Sequence, residues 1–235
     1  MLKEDLINKN PLRMISPVGE EGFRARKMGL VMARAGLGKT SILVQIALDN
    51  MLQDKNILHV SIGQSLDKTT VWYDDLFKDI ARKNDLENLN EVQEEIMPRR
   101  MILTFNEDTF TVAKLKERLK DLIDQDLFRP ACVLIDGCDD SPSQEELEEL
   151  RGLMVKYDFD VWFSAVNHRN DQRHSESGIP APYHDTDGFF ETVILLEPVK
   201  GGDRLELNII RDQGAVSDRK GSLHLDPSTL LITEN

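Results

Sequence analysis

Short apolar or β-branched runs alternate with amphipathic stretches along most of this chain. Runs at 28–33, 56–62, 101–104, 131–135 and 161–165 are too short for helices and bounded by polar residues, so they are expected as strands. Between them, apolar positions recur at three- and four-residue spacing, which predicts helices at 39–53, 70–84, 112–125 and 144–157. The last carries a start signal: Ser143 can cap the helix while Glu146 reaches back to the cap. Strands alternating with helices predict an α/β fold, a mainly parallel sheet flanked by helices on both faces.

Beyond about residue 187 the rhythm changes. Runs at 192–196, 204–211, 222–225 and 230–233 read as successive strands joined by turns such as Gly201-Gly202-Asp203. No helix fits between them, so the C-terminal strands are expected to extend the sheet in antiparallel fashion. Residues 167–186, NHRNDQRHSESGIPAPYHDT, interrupt the pattern. At roughly 20 residues this is long for a connection without structure, and its composition reads as a solvated loop.

Neither an internal repeat nor a Pro/Gly/Ser linker divides the 235 residues. The organisation expected is an N-terminal segment, 1–27, whose packing the pattern leaves open, followed by one domain, 28–235. With 29 Lys+Arg against 42 Asp+Glu the net charge is −13. Such a chain is repelled by phosphate backbones, so nucleic acid is not an expected partner. Cys132 and Cys138 are too few for a disulfide scaffold or a four-ligand metal site. No apolar run approaches the roughly 18 residues of a membrane span, and the polar start MLKEDLINKNPLRM does not read as a signal peptide. A cytoplasmic protein is expected.

The sharpest chemical signal is Ala33-Arg34-Ala35-Gly36-Leu37-Gly38-Lys39-Thr40, which fits the phosphate-loop pattern GxxxxGK[ST] with Ala33 for the first glycine. An apolar strand precedes it and a helical stretch from Ser41 follows. Gly36 and Gly38 let the backbone turn its N–H groups inward, and the helix presents its positive end to the same anion. Ala35, Gly36, Leu37, Gly38, Lys39, Thr40 and Ser41 are therefore the candidate phosphate-binding positions, with Lys39 on the β- and γ-phosphates. Thr40 is a candidate Mg²⁺ ligand through its hydroxyl. The complementary carboxylate should end a buried strand next to the first, and Ala131-Cys132-Val133-Leu134-Ile135-Asp136 supplies it. Asp136 is the second candidate metal residue, holding magnesium through water.

On the stretches VMARAGLGKTSILVQIA, ILHVSIGQS, CVLIDG and WFSAVN, together with the late antiparallel strands, the chain resembles a RecA-like P-loop ATPase core, the branch holding RecA recombinases, DnaB-type helicases and KaiC-type clock ATPases. The resemblance covers roughly residues 28–233 and implies ATP and Mg²⁺ as ligands, with ATP preferred over GTP by analogy alone. It also implies a catalytic glutamate at the end of the strand after the phosphate-loop helix, where this chain has Gly63-Gln64. Ser164-Ala165 stands where helicase-type members carry Ser-Gln. Of the late basic pair, in Ile210-Arg211-Asp212-Gln213-Gly214, Arg211 remains. The candidates for a catalytic role are thus Gln64, which can orient a water, Asp139 and Asp140, which otherwise read as a solvated acidic loop, and Arg211.

Other constellations carry less. His168, His174 and His184, with Asp171, Asp185 and Asp187, lack the spacing of a rigid metal site. Arg169 and Arg173 are positioned to approach a nucleotide only if their loop does. Trp72 and Tyr73 share helical spacing with Leu76, Phe77 and Ile80, which reads as core. The run from Glu145 to Glu149 reads as a solvent face, and the two cysteines as inert. The expected function is that of an ATP/Mg-binding regulatory or assembly factor with slow or absent hydrolysis, working with itself or a protein partner. The alternatives are an active ATPase of helicase or motor type and a small-molecule phosphotransferase.

Overall fold

The computed structural model describes residues 1–15, 27–168, 170–199, 204–213, 215–216 and 223–234. The first helix, α1 (Lys3–Asn8), and a 3₁₀ turn over Pro11–Met14 precede β1 (Met28–Ala33), the glycine-bearing loop 34–38 and α2 (Lys39–Leu52). The chain continues through β2 (Ile57–Ile62), α3 (Leu66–Lys83), α4 (Leu89–Ile96), β3 (Arg100–Phe105) and α5 (Val112–Asp124). Then follow β4 (Cys132–Asp136), α6 (Gln144–Tyr157), β5 (Asp160–Val166) and β6 (Thr192–Pro198). The last strands are β7 (Leu205–Asp212), β8 (Ala215–Val216), β9 (Leu223–Leu225) and β10 (Ile232–Glu234). Gly201-Gly202-Asp203, Ser222, Gly214 and Arg169 fall outside the described residues.

The strands form one sheet in the order β10-β9-β7-β6-β1-β5-β4-β2-β3, with β8 alongside β7. From β6 to β3 every neighbour is parallel. Antiparallel pairing begins only at β6/β7, which corrects the expectation that all the late strands would run antiparallel: β6 lies parallel to β1. A parallel return needs a crossover of a dozen or more residues, and residues 167–191 are that crossover. The solvated-loop reading of 167–186 therefore holds only for its first part. Ile179, Ala181, Tyr183 and Phe190 are buried, and the rings of Phe163, Tyr183 and Phe190 meet edge-on or tilted, at 5.5–6.3 Å between centroids. Segment 167–191 does what a helix does in an ordinary βαβ unit.

Each face of the sheet has its own core. On one, α5, α6 and the crossover bury Leu115, Leu119, Leu147, Leu150 and Tyr183 against β1, β4 and β5. On the other lies α2, apolar on nearly every side from Ile42 to Leu52. A helix of that pattern must be covered all round. α3, α4, the C-terminal strands and residues 1–15 do so, with Leu6, Leu12 and Ile15 buried in the same cluster. The buried Asp49 of α2 is met by Arg13 in an ion pair and by Asn10 Nδ2 at 2.7 Å. The N-terminal segment thus packs on this domain through its first fifteen residues. Among the described residues, no helix is long and apolar enough to cross a membrane.

Candidate functional site

The loop between β1 and α2 leaves the sheet at its carboxyl edge, beside the ends of β5, β4 and β2. Gly36 and Gly38 take φ of +78° and +95°, a region L side chains avoid. A Cβ on Gly38 would also stand 2.6 Å from Leu225 Cδ2. The C-terminal strands are thus packed against the loop. Leu230 O accepts from Ser41 Oγ at 3.2 Å and from Gln45 Nε2 at 2.9 Å, while Ile232 N donates to Gln45 Oε1 at 2.7 Å. Gly38 caps α2 without a side chain, and the first N–H groups of a helix have no partner within it. Arg34, Ala35 and Gly36 are exposed, and Leu37, Lys39 and Thr40 half-buried. Burial lowers the affinity of the Lys39 amine for its proton, and the charges of Asp139 and Asp136 oppose that.

Asp136 ends β4, but β4 is not next to β1. β5 lies between them, which corrects the expectation of neighbouring strands. The two motifs meet nonetheless, because the N-terminus of α2 reaches over the intervening strand. Thr40 Oγ1 donates to Asp136 Oδ2 at 2.8 Å. The intervening strand contributes Ser164, whose hydroxyl donates to Asp136 Oδ1 at 2.5 Å and accepts from Gly137 N at 2.9 Å. From the other side β2 brings His59 Nε2 to 3.8 Å from Oδ2. Burial pushes the Asp136 carboxyl up, but His59, Ser164 and Thr40 together outweigh it and hold the group below the usual carboxylate range. An ionised carboxylate met by hydroxyl oxygens, beside a glycine loop at a helix N-terminus, suits a hard cation held between protein and phosphate oxygens. Among the described residues no three His, Cys, Asp or Glu side chains gather into a metal site of their own.

The other candidates separate. Asp139 comes near: its charge acts on Lys39, and its Oδ1 accepts from Val166 N at 2.9 Å, tying the β4 and β5 ends together. Asp140 is exposed, with its carbonyl accepting from Cys138 Sγ at 3.5 Å. Gln64 is exposed at the end of β2. Arg211 is committed elsewhere. Its guanidinium donates to Asp187 O, to Ser177 Oγ at 2.8 Å and to Phe190 O at 3.3 Å, and pairs with Asp187 Oδ2 at 3.1 Å, which fastens β7 to the crossover. Arg173 pairs with Asp171 at 2.6 Å, and Arg169 lies outside the described residues.

Position 63 explains its own glycine. Gly63 has φ of +73°, and a Cβ there would run into the Glu107 carboxylate, which arrives from the end of β3. Glu107 and His59 are neighbours of the site that neither the motifs nor the resemblance point to, whereas Ser164, singled out by the resemblance, donates to Asp136. Ser164 and His59 do leave a trace in the sequence, as single polar residues inside the apolar runs WFSAV and ILHVSI. Glu107 leaves none, since it follows a strand end as any surface carboxylate would. No protein-family model matches the chain, and no curated protein gives a significant match.

Proposed function

We propose that the chain is a RecA-like P-loop protein that binds ATP with Mg²⁺ and serves as a nucleotide-dependent regulatory or assembly factor, with slow or absent hydrolysis. The observation that carries the reading is the 2.8 Å bond from Thr40 to Asp136, which unites two motifs 96 residues apart across an intervening strand. In this reading the N–H groups from Ala35 to Ser41 and the Lys39 amine hold the phosphates. Thr40 and Asp136 hold the ion, Asp136 through water. Bound Mg²⁺ would neutralise phosphate charge. The order of strands and helices and the antiparallel C-terminal strands support the RecA-like assignment, and the choice of ATP over GTP rests on the resemblance.

Slow hydrolysis is supported by Gly63 and the exposed Gln64 at the end of β2, and by an Arg211 held within its own chain. The active-ATPase reading draws on Asp139, whose charge, unlike that of Asp140, acts on Lys39. Affinity, turnover and mass measured on the same samples, with ATP and ADP and with and without Mg²⁺, separate the two. The proposal expects Mg²⁺-dependent ATP binding and turnover well below about 1 s⁻¹, the lower end of ordinary enzyme rates. Turnover at or above about 1 s⁻¹ establishes the active ATPase instead, and no nucleotide binding overturns both.

A further inference from the structure

A buried chain of polar groups leads away from the Thr40–Asp136 contact into the packing between β2 and α3, and phosphate binding makes no use of it. His59 sits within β2, fully buried between Leu58 and Val60. Its Nδ1 is 2.9 Å from the Tyr73 hydroxyl of α3, and its Nε2 has no hydrogen-bond partner but lies 3.8 Å from Asp136 Oδ2. Tyr73 is fully buried too, with its ring edge-on to the imidazole at 5.6 Å and the Arg100 guanidinium 4.4 Å from its centroid. Burying an imidazole nitrogen without a partner is costly. An aliphatic residue would fill this strand position without that cost.

Electrostatics selects the direction of the chain. With the imidazole proton on Nδ1, the Nε2 lone pair would face an ionised carboxylate at 3.8 Å. With the Tyr73 hydroxyl donating to Nδ1, the single proton sits on Nε2 and faces the carboxylate favourably. Asp136 Oδ1 already has Ser164 as its donor, whereas the donor on Oδ2 is Thr40, the hydroxyl assigned to the ion. His59 Nε2, at 3.8 Å too far for a hydrogen bond, turns a polar group toward Oδ2 from the sheet rather than from the nucleotide site.

We propose that His59 is a positioning residue for Asp136, with its proton held on Nε2 by the Tyr73 hydroxyl, and that this pair fixes the carboxylate used in Mg²⁺ binding. The proposal rests on the phosphate-loop reading and adds residues from β2 and α3 to it. Partners that orient a metal-binding group commonly affect metal affinity by about 10–100-fold. His59→Phe, which keeps a ring without a donor, should therefore raise the Mg²⁺ concentration for half-maximal ATP binding at least about tenfold. Tyr73→Phe, which frees the tautomer, should raise it in the same direction. His59→Gln, whose amide reaches as far as Nε2, should recover most of the loss.

The test measures this half-saturation by calorimetry for the three variants, with Mg²⁺-free ATP affinity as the control for an intact phosphate loop. It is paired with ¹⁵N NMR of the His59 ring in nucleotide-free wild type. The expected result is a proton on Nε2, a raised Mg²⁺ requirement in His59→Phe and Tyr73→Phe, and unchanged Mg²⁺-free affinity. An Nδ1-protonated ring, or an unchanged Mg²⁺ requirement, overturns the proposal while leaving nucleotide binding standing. A wild type that binds no nucleotide overturns the phosphate-loop reading and this proposal with it. Tyr73→Phe removes one oxygen and keeps the ring, so its Mg²⁺ requirement decides alone if His59→Phe does not fold.

Discussion

Asp136 is a carboxylate taken out of water and then surrounded by donors, and its ionisation records which of these wins. Its folded pKa lies below the ordinary 3.8, so the stability it contributes is present above about pH 4 and is lost as pH falls through the lower folded value. Ser164→Ala removes one charge-assisted bond, which predicts a loss of about 1.5–3 kcal/mol at pH 7. That loss should shrink below pH 3.8 as the carboxyl protonates. Denaturant unfolding of both proteins at several pH values checks this, and an equal loss at all of them would show that the bond does not depend on the charge. At this scale the meeting of Thr40 with Asp136 was legible, because Thr40 closes a motif of fixed spacing and Asp136 ends an apolar strand run. Ser164 was singled out only by the resemblance and His59 not at all, since a lone polar residue in an apolar run announces a buried partner without naming it. The partner of Ser164 lies 28 residues away on another strand.

Among the elements, those with period and punctuation were the readable ones. The start of α6 is formed as its sequence requires, with Glu146 N donating to Ser143 Oγ at 3.2 Å and Ser143 N to Glu146 Oε2 at 2.9 Å. Ser143→Ala should cost about 0.5–2 kcal/mol of unfolding free energy without altering the site. A shift in the denaturation midpoint with an unchanged slope would bear this out, and no shift would show that α6 is held by packing alone. The start of α3 was missed by a turn: Ser65 caps it, accepting from Lys68 N at 3.2 Å, and its first residue, Leu66, is 53% exposed, outside the apolar period. The short helix α4, with Val92 and Ile96 as its buried residues, offers too little period to be recognised. The crossover at 167–191 was misread for a related reason. Its buried residues alternate only over Ile179, Ala181 and Tyr183, where Pro180 and Pro182 argue against an ordinary strand, then skip to Phe190, and the polar residues around them dominate the composition.

For the molecule as a whole, the parallel core was legible as an alternation, but its strand order was not, because nothing local in β5 says that it lies between β1 and β4. Nor does local pattern show that residues 1–15 must cover α2, although a helix apolar on nearly every side demands some cover. Net charge is a property of this scale. At −13, the protein should show no salt-sensitive binding to random DNA or RNA oligonucleotides at physiological ionic strength. Fluorescence anisotropy checks this, and sub-micromolar binding that weakens with salt would revive the helicase reading. The central proposal is that the loop from Ala35 to Ser41 receives the phosphates of a nucleotide held with Mg²⁺. The most direct measurement is a calorimetric titration of wild type and Lys39→Ala with Mg²⁺-ATP. Loss of a charge-assisted contact of about 1.5–3 kcal/mol predicts an affinity at least about tenfold weaker in the variant. Equal affinity in the two proteins, or no binding by the wild type, would contradict the account.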